Sequence, residues 1–165
     1  MNLLHGGAAV IAAGEFTEAE GRRHYRMPIS RLMGARDIAQ TISVYDAGLA
    51  PARRNPSAAE VLYVVGGEGV CHLDGFGYEL AKGVAVYVPP GRVCQIESAG
   101  GLEIVSVACP EDDEVEVGVE TITRGAYDTK PALAVPEQFQ KEIATGDRTF
   151  KLLVSHELGA RRVRD

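Results

Sequence analysis

The chain has 165 residues and a formal net charge of −6 with no basic run, so nucleic acid is not an expected partner. Hydrophobic residues make up 45% and charged residues 24%, which suits one globular domain with a core that needs no disulfides. Three cysteines, an odd number without CxxC spacing, point to a reduced, cytoplasmic protein, and no apolar run approaches the roughly 18 residues that span a bilayer.

In chain order, residues 1–36 read as an N-terminal arm. Its start is mildly apolar, but no Lys or Arg precedes the apolar part, so a signal peptide is not expected. Residues 37–46 alternate Ile42 and Val44 and read as a strand. A loop rich in Pro and Arg follows, over residues 47–59. Short β-rich runs then occupy 60–65, 69–73, 77–80, 84–88, 92–97 and 103–108. Gly66–Gly67, Asp74–Gly75, Pro89–Pro90–Gly91 and Gly100–Gly101 separate them. Short strands with such turns predict an all-β sandwich or barrel. In the run from Glu60, residues Glu60, Leu62 and Val64 share one face, and Val61, Tyr63 and Val65 the other. Both faces are largely apolar. The second is covered by the N-terminal arm or by another subunit.

Towards the C-terminus, Pro136 with Glu-Gln-Phe-Gln-Lys-Glu-Ile after it predicts a short helix. Residues 146–163 align without gaps to residues 21–38. Gly21, Arg23, Ser30, Gly34, Ala35 and Arg36 meet Gly146, Arg148, Ser155, Gly159, Ala160 and Arg161, and Tyr25 meets Phe150. This reads as an internal repeat; the alternative is chance similarity between two polar hairpins. The organisation is then an arm (1–36), a barrel (37–125), and a linker with the short helix and the start of a second repeat (126–165).

Two motifs in residues 37–109 resemble those of the cupin superfamily. The family's first motif runs Gly, five residues, His-x-His, three or four residues, Glu, six residues, Gly. Here Gly48, Arg54, Pro56, Glu60 and Gly67 stand at those spacings. The second runs Gly, five residues, Pro-x-Gly, two residues, His, three residues, Asn. Here Gly83, Pro89, Gly91, Cys94 and Ser98 stand there. The resemblance implies a cupin-type double-stranded β-helix, a jelly-roll barrel with a pocket in its mouth. It also implies that family metal sites, built from three histidines and one glutamate, have their counterpart here in Arg54, Pro56, Glu60 and Cys94. Proline has no side-chain donor, and arginine cannot lose its proton to ligate a cation. No cofactor is therefore favoured. If a divalent metal (Fe, Mn, Ni or Zn) binds, Glu60, Cys94 and His72 are its candidate ligands.

The candidate pocket residues are Arg54, Glu60, Leu62, His72 and Cys94. Arg54 either pairs with Glu60, replacing the metal's charge, or points to solvent. His72 alone on a strand reads more simply as a packed or surface residue, and Cys94 as a buried inert thiol. His5, His24 and His156 share no metal spacing, and the acidic run from Glu111 to Glu114 reads as a solvated loop. Two functions follow from the resemblance. One is a binding or structural barrel, the front half of a two-barrel cupin, which dimerises or holds a small organic molecule. The other is a metal-dependent cupin enzyme of the dioxygenase, isomerase, decarboxylase or aminohydrolase kind. A sugar-binding regulator is disfavoured by the lack of a helix-turn-helix pattern. The apolar outer face and the tail arm predict a homo-oligomer, a dimer by preference.

Overall fold

The structure, a computed structural model, describes residues 2–3, 9–10, 15–16, 18–109, 115–121, 130, 132–145 and 148–151. Strands β1 (Asn2–Leu3) and β2 (Ala9–Val10) pair with each other. The entry hairpin follows, β3 (Glu18–Glu20) and β4 (Arg23–Ile29), then β5 (Ala39–Tyr45). Short strands β6 (Gly48–Leu49) and β7 (Arg53–Arg54) lead to β8 (Ala59–Gly66). The body continues through β9 (Glu68–Leu73), β10 (Phe76–Ala81), β11 (Val84–Val88), β12 (Val93–Ser98) and β13 (Leu102–Cys109). Beyond it lie β14 (Glu116–Val117), β15 (Ala134–Pro136), β16 (Glu142–Thr145) and β17 (Arg148–Lys151).

Two antiparallel sheets face each other. One has the order β15-β11-β8-β13-β5-β4-β3; the other runs β10-β9-β12-β7-β14, with β6 also on β12. The all-β barrel is as expected. The helix expected after Pro136 is instead a single 3-10 turn, Glu137–Phe139. That segment is held by strand pairing: β15 adds to β11, and Glu137 N–H donates to Gly83 O. Pairing with a sheet edge outweighs the weak helical preference of so short a segment. The same segment flanks the outer face of β8, where the Tyr63 hydroxyl donates to Glu137.

Period-two alternation fills the space between the sheets. Leu62, Val64, Cys71, Leu73, Leu80, Val86, Ile96, Leu102 and Ile104 are all almost fully buried there. Each such side chain contributes about 1.5–3 kcal/mol of apolar transfer free energy. The inward rows change character along the strands. The register sets Tyr45 opposite Leu102, Ser43 opposite Ile104, Thr41 opposite Ser106, and Ala39 and Glu60 both opposite Ala108. One end of the barrel is thus sealed by large apolar groups. The other has small and polar ones, and the space they leave is the barrel's mouth.

The β8–β9 turn needs its glycines. Gly67 has φ +78°, and a Cβ there would lie 2.6 Å from Gly101 O; one on Gly69 would lie 2.3 Å from Glu97 O. Side chains at either position would collide with backbone of the adjacent strands.

The entry hairpin and the last described hairpin match residue for residue. Glu18, Ala19 and Glu20 pair with Tyr25, His24 and Arg23. Ile143, Ala144 and Thr145 pair with Phe150, Thr149 and Arg148. The offset is the one that sets residue 146 on residue 21. Residues 152–163 of the aligned tail lie outside the described residues, as do His5, His156 and the acidic run 111–114.

Candidate functional site

The mouth holds a cavity of about 250 Å³ between the end of β8, strand β7 and the entry hairpin. Its polar base is an ion pair. Arg53 Nη1 donates to Glu60 Oε2 at 2.7 Å, and Nη2 donates to Oε1 at 3.1 Å. Arg53 is 8% exposed and Glu60 7%. Two parallel N–H···O bonds between planar groups are the strongest form such a pair takes. Burial alone pushes the Glu60 carboxyl up. The Arg53 charge and hydrogen bonds, with further help from Ser106 and Arg23, more than reverse this and hold it below its ordinary value. Burial likewise works against the Arg53 charge, and Glu60 foremost drives its pKa well above the ordinary value.

A second pair borders the cavity. Arg23 donates through Nε to Ser43 Oγ (3.0 Å) and through Nη1 to Glu20 (3.0 Å), and its guanidinium lies 4.3 Å from the centre of the Tyr25 ring. Burial, then Glu20, raises the Tyr25 phenol above its ordinary pKa. Asn55, Thr41, Met27, Ala39, Ala108 and Val115 complete the lining.

This geometry corrects the pairing expected for Arg54. Arg54 reaches outward to Glu116, with its side chain 42% exposed, while Arg53 takes the inward position. The reason is strand parity. Arg53 lies directly opposite Cys94 on β12, and directly opposed residues share a face. Cys94 belongs to the core cluster between the sheets, whereas Val93, opposite Arg54, does not, so Arg53 is inward and Arg54 outward. The inward pair of the first motif is therefore Arg53 and Asn55, one residue earlier than the glycine count suggests. The family spacing of four residues before the glutamate accommodates that shift.

Of the other sequence candidates, only Glu60 lines the cavity. Leu62 is fully buried in the core, one inward position below it. His72 faces the outside of the barrel, 3.0 Å from Glu97 Oε2. Cys94 lies in the core with its Sγ 3.5 Å from that of Cys71. A hydrogen bond shared with Cys71 lowers the Cys94 thiol, assisted by Arg53 and opposed by burial, and the same bond raises Cys71 well above its ordinary value. Arg23, Glu20, Tyr25 and Thr41 escaped the sequence reading because they lie on strands outside the two motifs. Only the inward parity of β3, β4 and β5 marks them.

These residues do not fit a divalent metal. Both Glu60 oxygens are taken by a guanidinium, His72 faces away, and Cys94 shares a hydrogen bond with a second buried thiol, Cys71. Among the described residues no group of three or more His, Cys, Asp or Glu could hold a metal ion. Nor is any described helix long and apolar enough to cross a membrane.

Comparison with solved structures settles the architecture. KdgF from Halomonas sp. superposes with a TM-score of 0.54 at 16% identity, over 61% of this chain and 92% of that one. Ectoine synthase from P. lautus gives 0.54 at 14% identity, over 71% and 90%. The chain has the cupin fold. A deletion mutant of oxalate decarboxylase from Bacillus subtilis gives 0.61 at 12% identity and covers 85% of this cupin chain but 53% of its own. No family model matches the sequence, and no curated protein matches it. Likeness at these identities defines the fold alone.

Proposed function

We propose that this barrel binds a small organic molecule in its mouth without metal chemistry of its own. The observation that carries the reading is the bidentate Arg53–Glu60 pair at the base of the cavity. It puts a fixed cation against the glutamate that the family resemblance assigns to a metal. An open cavity remains beside it, lined by apolar and hydrogen-bonding groups, which is the make-up of a small-molecule site.

The barrel acts as the front half of a two-barrel cupin. The gapless alignment of residues 146–163 with 21–38 supports this, as does the shared register of the two hairpins. So does the fit of this chain to about half of a longer cupin chain. A metal-dependent reaction would then use residues outside this barrel. The exposed Val65 and Ile38 favour a homodimer, and three free cysteines favour a reducing, cytoplasmic setting.

Metal analysis of the purified protein tests the central point. The expected result is a substoichiometric metal content with full folding. One equivalent of iron, manganese, nickel or zinc, lost in Glu60→Ala, would overturn it in favour of the enzyme. Sedimentation that shows only monomer at high concentration would remove the dimer.

A further inference from the structure

Two walls flank the base of the mouth, and they are held with unequal strength. On one side stands the entry hairpin. Its strand β4 pairs with β5 from Arg23 opposite Tyr45 to Ile29 opposite Gln40, and Arg23 is buried and bonded to Ser43 and Glu20. On the other side stands β14, the outermost strand of its sheet, with Val115 before it and Gly118 after it. Its register on β7 sets Glu116 opposite Arg54 and Val117 opposite Arg53. Directly opposed residues share a face, so Val117 lies on the inward face with Arg53, and Glu116 on the outward face with Arg54. Val115 lines the cavity.

Little holds this second wall down. Besides the two paired positions, the Gly118 N–H donates to Ala52 O at 2.8 Å, and Arg54 Nε donates to Glu116 Oε2 at 2.7 Å. That ion pair is exposed, so solvent screens it and its contribution is small. Residues 115–118 are all exposed, with Val115 at 40% and Val117 at 44%. Short pairing, little buried apolar surface and exposed backbone bonds mark an element that opens well before the whole fold does. The groups beneath it are nonetheless closed off, since Arg53 and Glu60 are both buried with β14 in place. A molecule that reaches that pair needs one wall to move, and β14 costs less to move than the entry hairpin.

Resting on the binding function proposed above, we propose that residues 115–118 form a strap that gates the mouth. The strap lifts from β7 while the barrel stays folded, and a molecule reaches the Arg53–Glu60 pair through the gap. It closes by pairing again with β7, which returns Val115 to the cavity wall. The two valines still have apolar surface to bury, so an occupant with an apolar edge favours the closed strap. Arg54 and Glu116 are positioning residues: they face outward and act on the mouth only through the strap.

Access to the cavity is read without any ligand. In a Cys109→Ser background, Thr41→Cys places a reporter thiol in the cavity wall, and its alkylation by iodoacetamide is timed by peptide mass. Adding Arg54→Cys and Glu116→Cys sets a directly opposed pair that oxidation joins into a staple across β7 and β14. The stapled protein is expected to label the reporter about tenfold more slowly than the same protein reduced. Without the staple, Arg54→Glu sets like charges face to face and is expected to speed labelling several-fold, and Glu116→Arg added to it restores the parent rate. Hydrogen exchange of the unmodified protein is the second measurement. The Gly118 amide is expected to exchange about a hundredfold faster than those of Leu62 and Val64 in β8, and faster still in Arg54→Glu. Equal labelling of stapled and reduced protein would overturn the gate, as would a Gly118 amide as slow as those of β8. If a thiol variant fails to fold or the staple fails to form, hydrogen exchange and its response to Arg54→Glu decide alone. No ligand enters these readouts, so their failure leaves the binding function standing. That function falls instead if a panel of charged and neutral small molecules gives no saturable shift of the mouth amides in protein whose strap opens as expected.

Discussion

Replacing Arg53 by methionine isolates the role of the ion pair. Methionine fills much of the space of the arginine stem but leaves Glu60 buried without its counter-charge. Removing one partner of a buried pair costs about 3–5 kcal/mol, because the surviving charge is uncompensated. A carboxylate has a way out, since it can take up a proton. With an ordinary glutamate pKa near 4.3, protonation at pH 7 costs about 3.7 kcal/mol and at pH 5 about 1 kcal/mol. The loss in Arg53→Met is therefore about 3–4 kcal/mol at pH 7 and about 1 kcal/mol at pH 5. The sign follows because Glu60 in the variant has a folded pKa above its unfolded one. Its penalty shrinks as pH falls towards the unfolded value. In the native protein the folded pKa of Glu60 is depressed. Its contribution is present at neutral pH and fades only as pH falls below about 4. Urea unfolding of both proteins at pH 7 and pH 5 measures this. Glu60→Leu is the contrast: the guanidinium has no proton to give up in this range, so that loss is the same at both pH values. An Arg53→Met loss that does not shrink between pH 7 and pH 5 would refute the reasoning.

Other outcomes follow from the same geometry. Arg54→Ala breaks only the exposed contact with Glu116 and changes unfolding free energy by no more than about 1 kcal/mol in a denaturant titration. Gly67→Ala forces a Cβ against Gly101 O at positive φ and lowers stability by about 1–3 kcal/mol in the same assay. Thiol titration of the folded protein finds Cys109 reactive and Cys71 and Cys94 silent until denaturant is added, because those two are buried and Cys109 only partly so.

The barrel was legible because its signals are local. Alternating apolar residues and fixed glycines are read directly from the chain, and Gly67 turned out to be sterically obligatory. The site was harder because its residues meet through pairing that the chain alone does not display. Glycine spacing places Arg54 inward; the β7–β12 register places Arg53 there. A one-residue slip within a loop reverses the face of every residue after it, and only the partner strand fixes parity. Arg23 and Tyr25 lie far from the two motifs in sequence. They reach the mouth because β4 pairs with β5, a relation that composition does not encode. The expected helix after Pro136 failed for a related reason: the free edge of β11 was not visible in the sequence, and it captured that segment as a strand.

A guanidinium in place of a metal also changes how the mouth is stabilised. A bound ion stabilises a fold by mass action, so its contribution depends on free metal and disappears with a chelator. Arg53 is covalently part of β7, and its hydrogen bonds to Glu60 tie β7 to β8 whatever the ionic composition of the medium. The link needs no deprotonated imidazole, so it also escapes the acid sensitivity of histidine ligands, and gives way only where Glu60 itself titrates. The barrel's melting temperature should therefore be unchanged by excess EDTA and by added zinc or manganese. A fall of several degrees in EDTA, restored by one metal, would show that an ion rather than Arg53 holds β7 against β8.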